Sequence, residues 1–263
     1  MNDRQLKALW EAEEKAGFQG WDFGYIQHRT KEQRLPWSYR AIVEASLGEK
    51  TTLLDMGTGG GEFLRSLHPP AGRAYATEAY PPNVELCRRT LPAYGIEVRQ
   101  VYEDDKLPFP CGMFDLVINR HESFSAEEAF RVLKPGGRFI TQQVGGRNNR
   151  ELARTLLGED VGLTDPEFDL AWTARAVEAA GFAVEQAEEC FPELTFLDVG
   201  ALVYFARIIE WEFPGFSVER CFGALRKLHE EAERGGGITT MEHRFLLTAV
   251  KPGGRSDWVG VPV

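Results

Sequence analysis

Cysteine is scarce in this chain, and basic residues are outnumbered by acidic ones. The four cysteines among 263 residues form no C-x-x-C pair and have no neighbouring histidines at zinc-ligand spacing, so we interpret them as reduced thiols and expect no metal site. The sequence contains 30 Lys and Arg residues and 40 Asp and Glu residues, which gives a formal net charge of −10. That charge disfavours nucleic acid as a partner, because phosphate binding over a broad face needs clustered cations.

Long apolar runs are also missing. No run is long enough to cross a bilayer, and the amphipathic N-terminus, MNDRQLKALWEAEEKAGF, lacks the apolar centre of a signal peptide. We therefore expect no membrane contact and a cytoplasmic location. The composition, 43% hydrophobic and 27% charged residues, suits one large α/β domain or a domain with a small cap.

From residue 51 onward, short β-rich runs alternate with helical ones, an order typical of βαβ units on a parallel sheet. The predicted strands are residues 51–56, 73–78, 96–102, 114–119, 137–144, 182–189 and 244–250. The predicted helices are residues 3–17, 60–67, 82–93, 125–133, 147–157 and 167–180, with helical patterns again at 198–210 and 217–233.

Four segments are expected along the chain. They are an N-terminal helical and aromatic lid segment at 1–48, a core at 49–190, an inserted helical cap at 191–238, and the last strand of the core with a tail at 239–263. The insertion is inferred because the stretch between the last two predicted strands is too long for a simple connection.

The most informative motif is LLDMGTGGGEFL, residues 53–64, where an apolar strand ends in Asp55 and a run of glycines opens a helix. Gly57, Gly59 and Gly61 permit positive φ and a close approach of the backbone to a ligand. The N-terminus of the following helix adds free N–H donors that favour a carboxylate or a phosphate.

Two familiar phosphate-binding patterns fail here. The dinucleotide pattern G-x-G-x-x-G requires a third glycine where Glu62 or Leu64 stands, and no Gly-Lys-Ser/Thr closes a P-loop.

The spacing D-x-G-x-G-x-G, read from Asp55, does fit, and it resembles the first motif of class I S-adenosylmethionine-dependent methyltransferases. Four further motifs extend the resemblance in order over about residues 51–145: YATEAY, YEDDKLPFP, FDLVINRHE and RVLKPGGRFITQQV. The chain is most similar to the small-molecule, type 11-like branch of that family.

The resemblance implies an α/β fold of Rossmann-like type. Its seven-stranded, mostly parallel sheet would carry helices on both faces, an antiparallel last strand and ligands at the carboxyl ends of the strands, with the N-terminal lid and the inserted cap added to it. The implied cofactor is S-adenosyl-L-methionine, with S-adenosyl-L-homocysteine as product and no metal. Carried over residue by residue, the cofactor-binding positions are Asp55, Gly57, Thr58, Gly59, Gly61, Glu78, Ala79, Glu103, Asp104 and Asn119.

Roles follow for three of these residues from the same resemblance. Glu78 would accept hydrogen bonds from the two ribose hydroxyls, and Glu103 or Asp104 would lie near the adenine. The strand that ends in FDLVIN would present its carboxyl end to the reacting methyl group.

The chemistry expected of such a site is mainly alignment. The methyl group of a sulfonium is already a good electrophile, so the protein has to hold the nucleophile in line with it. His121, just past the fourth strand, is the candidate general base, with Glu122 orienting it or binding a substrate amine. A capping or packing role for His121 and an ion-pair role for Arg120 stay open.

Substrate contacts are expected from the aromatic N-terminal segment and from the ends of the fourth and fifth strands. The predicted substrate-binding residues are Trp21, Tyr25, Trp37, His121, Glu122 and Gln143. Packing of the N-terminal helix is the alternative for the aromatic residues. Because strand neighbours point to opposite faces, at most one of Gln142 and Gln143 would face the pocket.

The sequence therefore predicts methyl transfer to the oxygen, nitrogen or carbon of a small-molecule acceptor. The first alternative is a base methyltransferase of ribosomal or transfer RNA, against which the acidic charge and NRHE in place of an N/D-P-P-Y/F motif both count. The second is a non-catalytic protein of the same fold that binds the cofactor. Apolar residues in 191–238 suit a pocket roof, a cap core or a dimer face, so a homodimer stays open.

Overall fold

A computed structural model describes residues 1–18, 22–103, 105–158 and 165–253. Two predicted site residues, Trp21 and Asp104, lie outside the described residues.

The chain divides into two units, each assembled from three stretches. The core unit comprises Ser38–Gln143, Leu170–Glu188 and Leu246–Val263, and the accessory unit comprises Met1–Trp37, Val144–Asp169 and Glu189–Phe245. These limits differ from the four consecutive segments that we expected, because packing between distant parts of the chain decides which stretches associate.

The helices and strands follow in chain order. The helices are α1 Asp3–Glu14, α2 Tyr39–Ser46, α3 Glu62–Ser66, α4 Pro81–Thr90, α5 Ala126–Val132, α6 Arg150–Leu157, α7 Leu170–Ala179, α8 Val199–Ile208 and α9 Val218–Gly235. The strands are β1 Thr30–Glu32, β2 Leu53–Met56, β3 Ala74–Glu78, β4 Ile96–Gln100, β5 Phe114–Arg120, β6 Leu133–Val144, β7 Ala183–Cys190, β8 Glu193–Phe196, β9 Ile238–Met241 and β10 Arg244–Val250.

The predicted seven-stranded sheet is confirmed, with the strand order β4-β3-β2-β5-β6-β10-β7. The neighbours β4, β3, β2, β5 and β6 run parallel. Between β6 and β10 the direction reverses, since Lys251 exchanges backbone hydrogen bonds with Gly136 and Gly137 while Gly145 donates to the carbonyl of His243. The carboxyl ends of the parallel strands therefore lie along one edge of the sheet.

Apolar side chains of the central strands fix this arrangement. Leu54, Val117, Phe139 and Leu247 are completely buried in one cluster with residues of α5 and α7. Burying a side chain of this size stabilises the fold by about 1.5–3 kcal/mol. Strands that are covered on both faces read as nearly continuous apolar runs, which is why they were visible in the sequence.

One helix of the core unit was missed. α2 begins after Ser38, whose hydroxyl accepts the backbone N–H of Ala41 at 3.2 Å. Its residues were included in the predicted lid, because the aromatic residues before it suggested a turn.

The accessory unit has its own sheet of three antiparallel strands in the order β1-β8-β9. Its core contains Trp10, Leu152 and Tyr204, one from each of its three stretches. The segment 191–238, expected as an inserted helical cap, contains the strand β8 as well as the helices α8 and α9. This four-residue strand is too short to show a period, and both of its partners are remote in the sequence. Among the described residues, no helix combines the length and apolarity needed to span a membrane.

Candidate active site

The loop between β2 and α3 has the backbone that its glycines predict. Gly57, Gly59 and Gly61 all have positive φ, at 68°, 61° and 80°. A Cβ at Gly57 would overlap the side chain of Glu122, and one at Gly61 would come within 2.7 Å of Leu91. At these two positions glycine satisfies both the backbone conformation and the packing.

Thr58 ties this loop to the end of β2. Its hydroxyl donates to Oδ2 of Asp55 at 2.7 Å, and its backbone N–H donates to the carbonyl of Thr77 at 2.9 Å. Burial raises the pKa of the Asp55 carboxyl to about 6, although the Thr58 hydrogen bond and the charge of Arg120 both lower it.

Two buried backbone amides of the loop have no acceptor among the described residues. Gly59 and Gly60 are both buried, and across the described ranges no oxygen accepts from either N–H. A buried amide without an acceptor is costly, so such groups are normally satisfied by water or a ligand. The pair can donate to a carboxylate.

A thiol lies against the same loop. Sγ of Cys87 is 3.1 Å from the carbonyl oxygen of Gly59 and donates to it. Burial, reinforced by neighbouring carboxylates, raises the pKa of this thiol to about 12. Cys87 is therefore a protonated packing residue at neutral pH.

Glu78 ends β3 with its carboxylate buried, at 5% exposure. Oε1 accepts the backbone N–H groups of Ala79 and Tyr80, each at 2.9 Å. Within the described part of the chain no hydrogen bond reaches Oε2. The carboxylate is thus fixed in orientation and keeps one oxygen for hydroxyl donors.

Asn119, expected at the cofactor, is completely buried near the end of β5. Its Oδ1 accepts from the hydroxyl of Thr141 at 3.0 Å and from Nε2 of Gln143, and its Nδ2 donates to the carbonyl of Met56 at 3.4 Å. The side chain therefore links the ends of three neighbouring strands.

Gln143, expected at the substrate, is only 4% exposed. Its Nε2 also donates to the carbonyl of Glu122 at 2.9 Å. That bond holds the turn after β5, where the Glu122 side chain covers Gly57.

His121 is exposed and has a positive φ of 59°, which is rare for any residue other than glycine. Its backbone N–H donates to the carbonyl of Gln142 at 2.8 Å, and its Nε2 lies 3.0 Å from Nε2 of the same residue. With the Gln142 amide as donor, Nε2 accepts and the neutral ring carries its proton on Nδ1. His121 would have to release this bond before Nε2 could take a proton from a nucleophile.

Tyr39 was not predicted as a site residue. Its buried hydroxyl donates to the backbone carbonyl of Asn119 at 3.1 Å. Burial raises the pKa of this phenol well above its usual value, and the charge of Asp55 adds to the effect. A tyrosine before the first predicted strand carried no sequence signal for this contact.

The remaining predicted residues are more exposed. Ala79 and Glu103 are exposed in the core unit. Tyr25, 50% exposed, and Trp37, partly buried, belong to the accessory unit, where the Tyr25 ring lies 4.7 Å from that of Tyr204. The described residues contain no group of three His, Cys, Asp or Glu side chains suited to a metal ion.

Comparison with known protein sequences finds similarity to methyltransferases. Residues 54–141 match the sequence model of a methyltransferase domain family. The demethylmenaquinone methyltransferase of Thermus thermophilus is 33% identical over 116 residues, which cover 40% of this chain and 53% of that protein. The chain thus spans about half the length of this curated relative.

Solved structures share the fold. A protein from Bacillus halodurans superposes with a TM-score of 0.58 at 17% identity, over 82% of this chain and 99% of that one. The YcgJ protein of Bacillus subtilis gives 0.58 at 19% identity over the same shares. At these identities the likeness shows the fold alone.

Proposed function

We propose that this chain, which residues 54–141 assign to the class I S-adenosylmethionine-dependent methyltransferase family, transfers the methyl group of S-adenosylmethionine to a small-molecule acceptor. The attacking atom would be an oxygen, a nitrogen or a carbon, and the displacement would be in line. The observation that carries the proposal is the loop after β2, with three glycines at positive φ and two buried amides without acceptors.

The residues around this loop fit an adenosyl amino acid. The amides of Gly59 and Gly60 suit its carboxylate, and Oε2 of Glu78 suits a pair of ribose hydroxyls. Asn119 and Thr58 would act by holding the strand ends and the loop in place. The chemistry that the cofactor supplies when bound is a methyl group on a sulfonium, which needs no further activation.

Alignment is then the main task of the protein. Holding the acceptor at near-attack distance supplies about 7–11 kcal/mol through proximity and orientation. His121 is the proposed base where the nucleophile carries a proton, since it follows β5 directly and its strained backbone is of a kind often found at functional sites.

A small-molecule acceptor is supported by two observations. The curated relative carries the name of a methyltransferase of demethylmenaquinone, which is a small molecule. The net charge of −10 is unfavourable for RNA. Incubation of a cell extract with the protein and labelled methyl donor would separate the cases: label in the small-molecule fraction supports the proposal, whereas label confined to RNA or protein contradicts it.

Calorimetric titration with S-adenosylhomocysteine tests the cofactor site directly. We expect binding by the parent protein and at least a tenfold loss in Gly59→Ala, because a Cβ would intrude where the backbone meets the ligand. Gly72→Ala is the matched control: Gly72 has a φ of 73°, yet a Cβ there would meet nothing within 4 Å. Equal affinity of the two variants, or no binding by the parent, would refute the proposed site.

A further inference from the structure

Arg120 is the last residue of β5 and precedes the proposed base. The β5–β6 register places it opposite Gln142, the residue that contacts His121. Its guanidinium lies 4.5 Å from the centroid of the Phe63 ring, in the first turn of α3. The side chain therefore lies between the glycine loop's helix and the turn that carries His121.

Within the described ranges, the guanidinium of Arg120 forms no ion pair within 4.0 Å. Across the residues that the structure describes, no carboxylate or carbonyl oxygen accepts a hydrogen bond from Arg120. Stacking on an aromatic ring orients the planar group and leaves its N–H edges available.

A second arginine on the same ring provides the contrast. Arg40 lies 5.3 Å from the Phe63 centroid. Its Nη1 lies 3.1 Å from a carboxylate oxygen of Glu44, and Nη1 and Nη2 also donate hydrogen bonds to Ser66. The two arginines thus share one ring, and of the two only Arg40 forms an ion pair with a carboxylate of the described residues.

Two buried carboxylates lie along the same edge of the sheet as Arg120. The carboxylates of Asp55 and Glu78 are buried at the neighbouring strand ends, each 5% exposed, and the charge of Arg120 lowers the pKa of Asp55 against the larger effect of burial. An anionic molecule that approached these strand ends would be repelled without a compensating cation.

We propose that Arg120, held flat on Phe63, binds an oxyanion of the methyl acceptor, either a carboxylate or a phosphate. The inference rests on the proposed function, and it narrows the acceptor to small molecules that carry such a group. The cofactor also has a carboxylate, but the amides of Gly59 and Gly60 are already suited to it.

Nuclear magnetic resonance of protein labelled with ¹⁵N-arginine tests this directly. The protein is first saturated with S-adenosylhomocysteine, and the Arg120 Nε–Hε resonance is assigned by its loss in Arg120→Lys. Benzoate and phenyl phosphate are then titrated, with benzamide as the neutral counterpart. The internal control is Arg65, in the last turn of α3. Its guanidinium likewise lies over an aromatic ring, 5.5 Å from the centroid of Tyr94.

We expect a saturable shift of the Arg120 resonance with at least one of the two anions, and none with benzamide. Arg120→Gln should weaken the affinity for that anion at least tenfold, whereas Arg65→Gln should leave it unchanged. No shift at Arg120, or an equal shift at Arg65, would overturn the inference.

Two further arms separate the causes of failure. If S-adenosylhomocysteine itself moves the Arg120 resonance while 5′-methylthioadenosine, which lacks the amino-acid carboxylate, does not, the arginine serves the cofactor and the inference is wrong. If the parent protein does not bind S-adenosylhomocysteine at all, the proposed function fails first. Binding without any anion response defeats the inference alone.

Discussion

The hydroxyl of Thr58 donates a 2.7 Å hydrogen bond to the carboxyl group of Asp55, three residues earlier in the chain. This bond fastens the glycine loop to the strand that precedes it. It also stabilises the ionised form of Asp55. Burial of this carboxyl group has the opposite effect and raises its pKa to about 6.

Thr58→Val should weaken cofactor binding. Loss of the hydroxyl removes a hydrogen bond to a charged group, worth about 1.5–3 kcal/mol, and frees the loop. We expect roughly a tenfold or greater loss of affinity for S-adenosylhomocysteine by calorimetry at pH 8. Thr58→Ser keeps the hydroxyl and should bind like the parent; if it binds as weakly as the valine variant, the bond is not responsible.

Asp55→Asn should stabilise the folded protein at alkaline pH. Because burial raises the folded-state pKa above the unfolded value, the carboxyl favours folding below about pH 4, and this contribution is lost as pH rises to about 6. At pH 8 the ionised acid costs about 2–3 kcal/mol, at about 1.4 kcal/mol per pKa unit. Urea denaturation should show the variant more stable at pH 8, with a smaller difference at pH 5. A difference that grows as pH falls would contradict the direction of the shift.

Glu78→Gln should separate ligand binding from folding. Glutamine keeps an oxygen for the backbone amides of Ala79 and Tyr80, yet replaces the second carboxylate oxygen by a donor. We expect a thermal midpoint close to that of the parent and about a 10- to 100-fold loss of affinity for S-adenosylhomocysteine. Glu85→Gln, on the exposed face of α4, is the control. Unchanged affinity in Glu78→Gln would show that this carboxylate does not contact the ligand.

Tyr39→Phe should lower stability without removing any packing surface. The buried hydroxyl is lost from the carbonyl of Asn119, so an acceptor is left without this donor, at a cost of about 1–2 kcal/mol. Urea denaturation measures the change. In the control Tyr94→Phe the lost hydroxyl belongs to a ring that is 49% exposed, and stability should change little. Equal effects in the two variants would argue against the Tyr39 bond.

The parts of the fold that could be predicted are those with a local pattern. The last core strand, predicted at 244–250, coincides with β10, and each of the other six overlaps its predicted run. β8 was missed because four residues carry no period and its pairing with β1 and β9 spans most of the chain. A short strand that forms through pairing with remote strands has too few residues to show a hydrophobic period in its own sequence.

In the candidate site, too, the features with a local sequence pattern could be predicted and those that depend on remote partners could not. The positive φ angles of the loop were predicted, because glycine itself signals them. The hydrogen bonds between the Asn119, Thr141 and Gln143 side chains were not predicted, since the sequence does not show which side chains of neighbouring strands meet. The contacts of Tyr39 with Asn119 and of Arg120 with Phe63 were not predicted either, because the partners lie on other elements.

The hydrogen bond from the Cys87 thiol to the Gly59 carbonyl gives the glycine loop a built-in vibrational probe. The S–H stretch absorbs in an infrared window that contains only thiol bands, and its frequency follows the strength of the hydrogen bond that the thiol donates. Replacing the other three cysteines, Cys111, Cys190 and Cys221, by serine would leave the Cys87 band alone in this window. Any molecule that pulls on the Gly59 peptide group from the opposite side would shift that band, so occupancy of the loop can be followed without attaching a label.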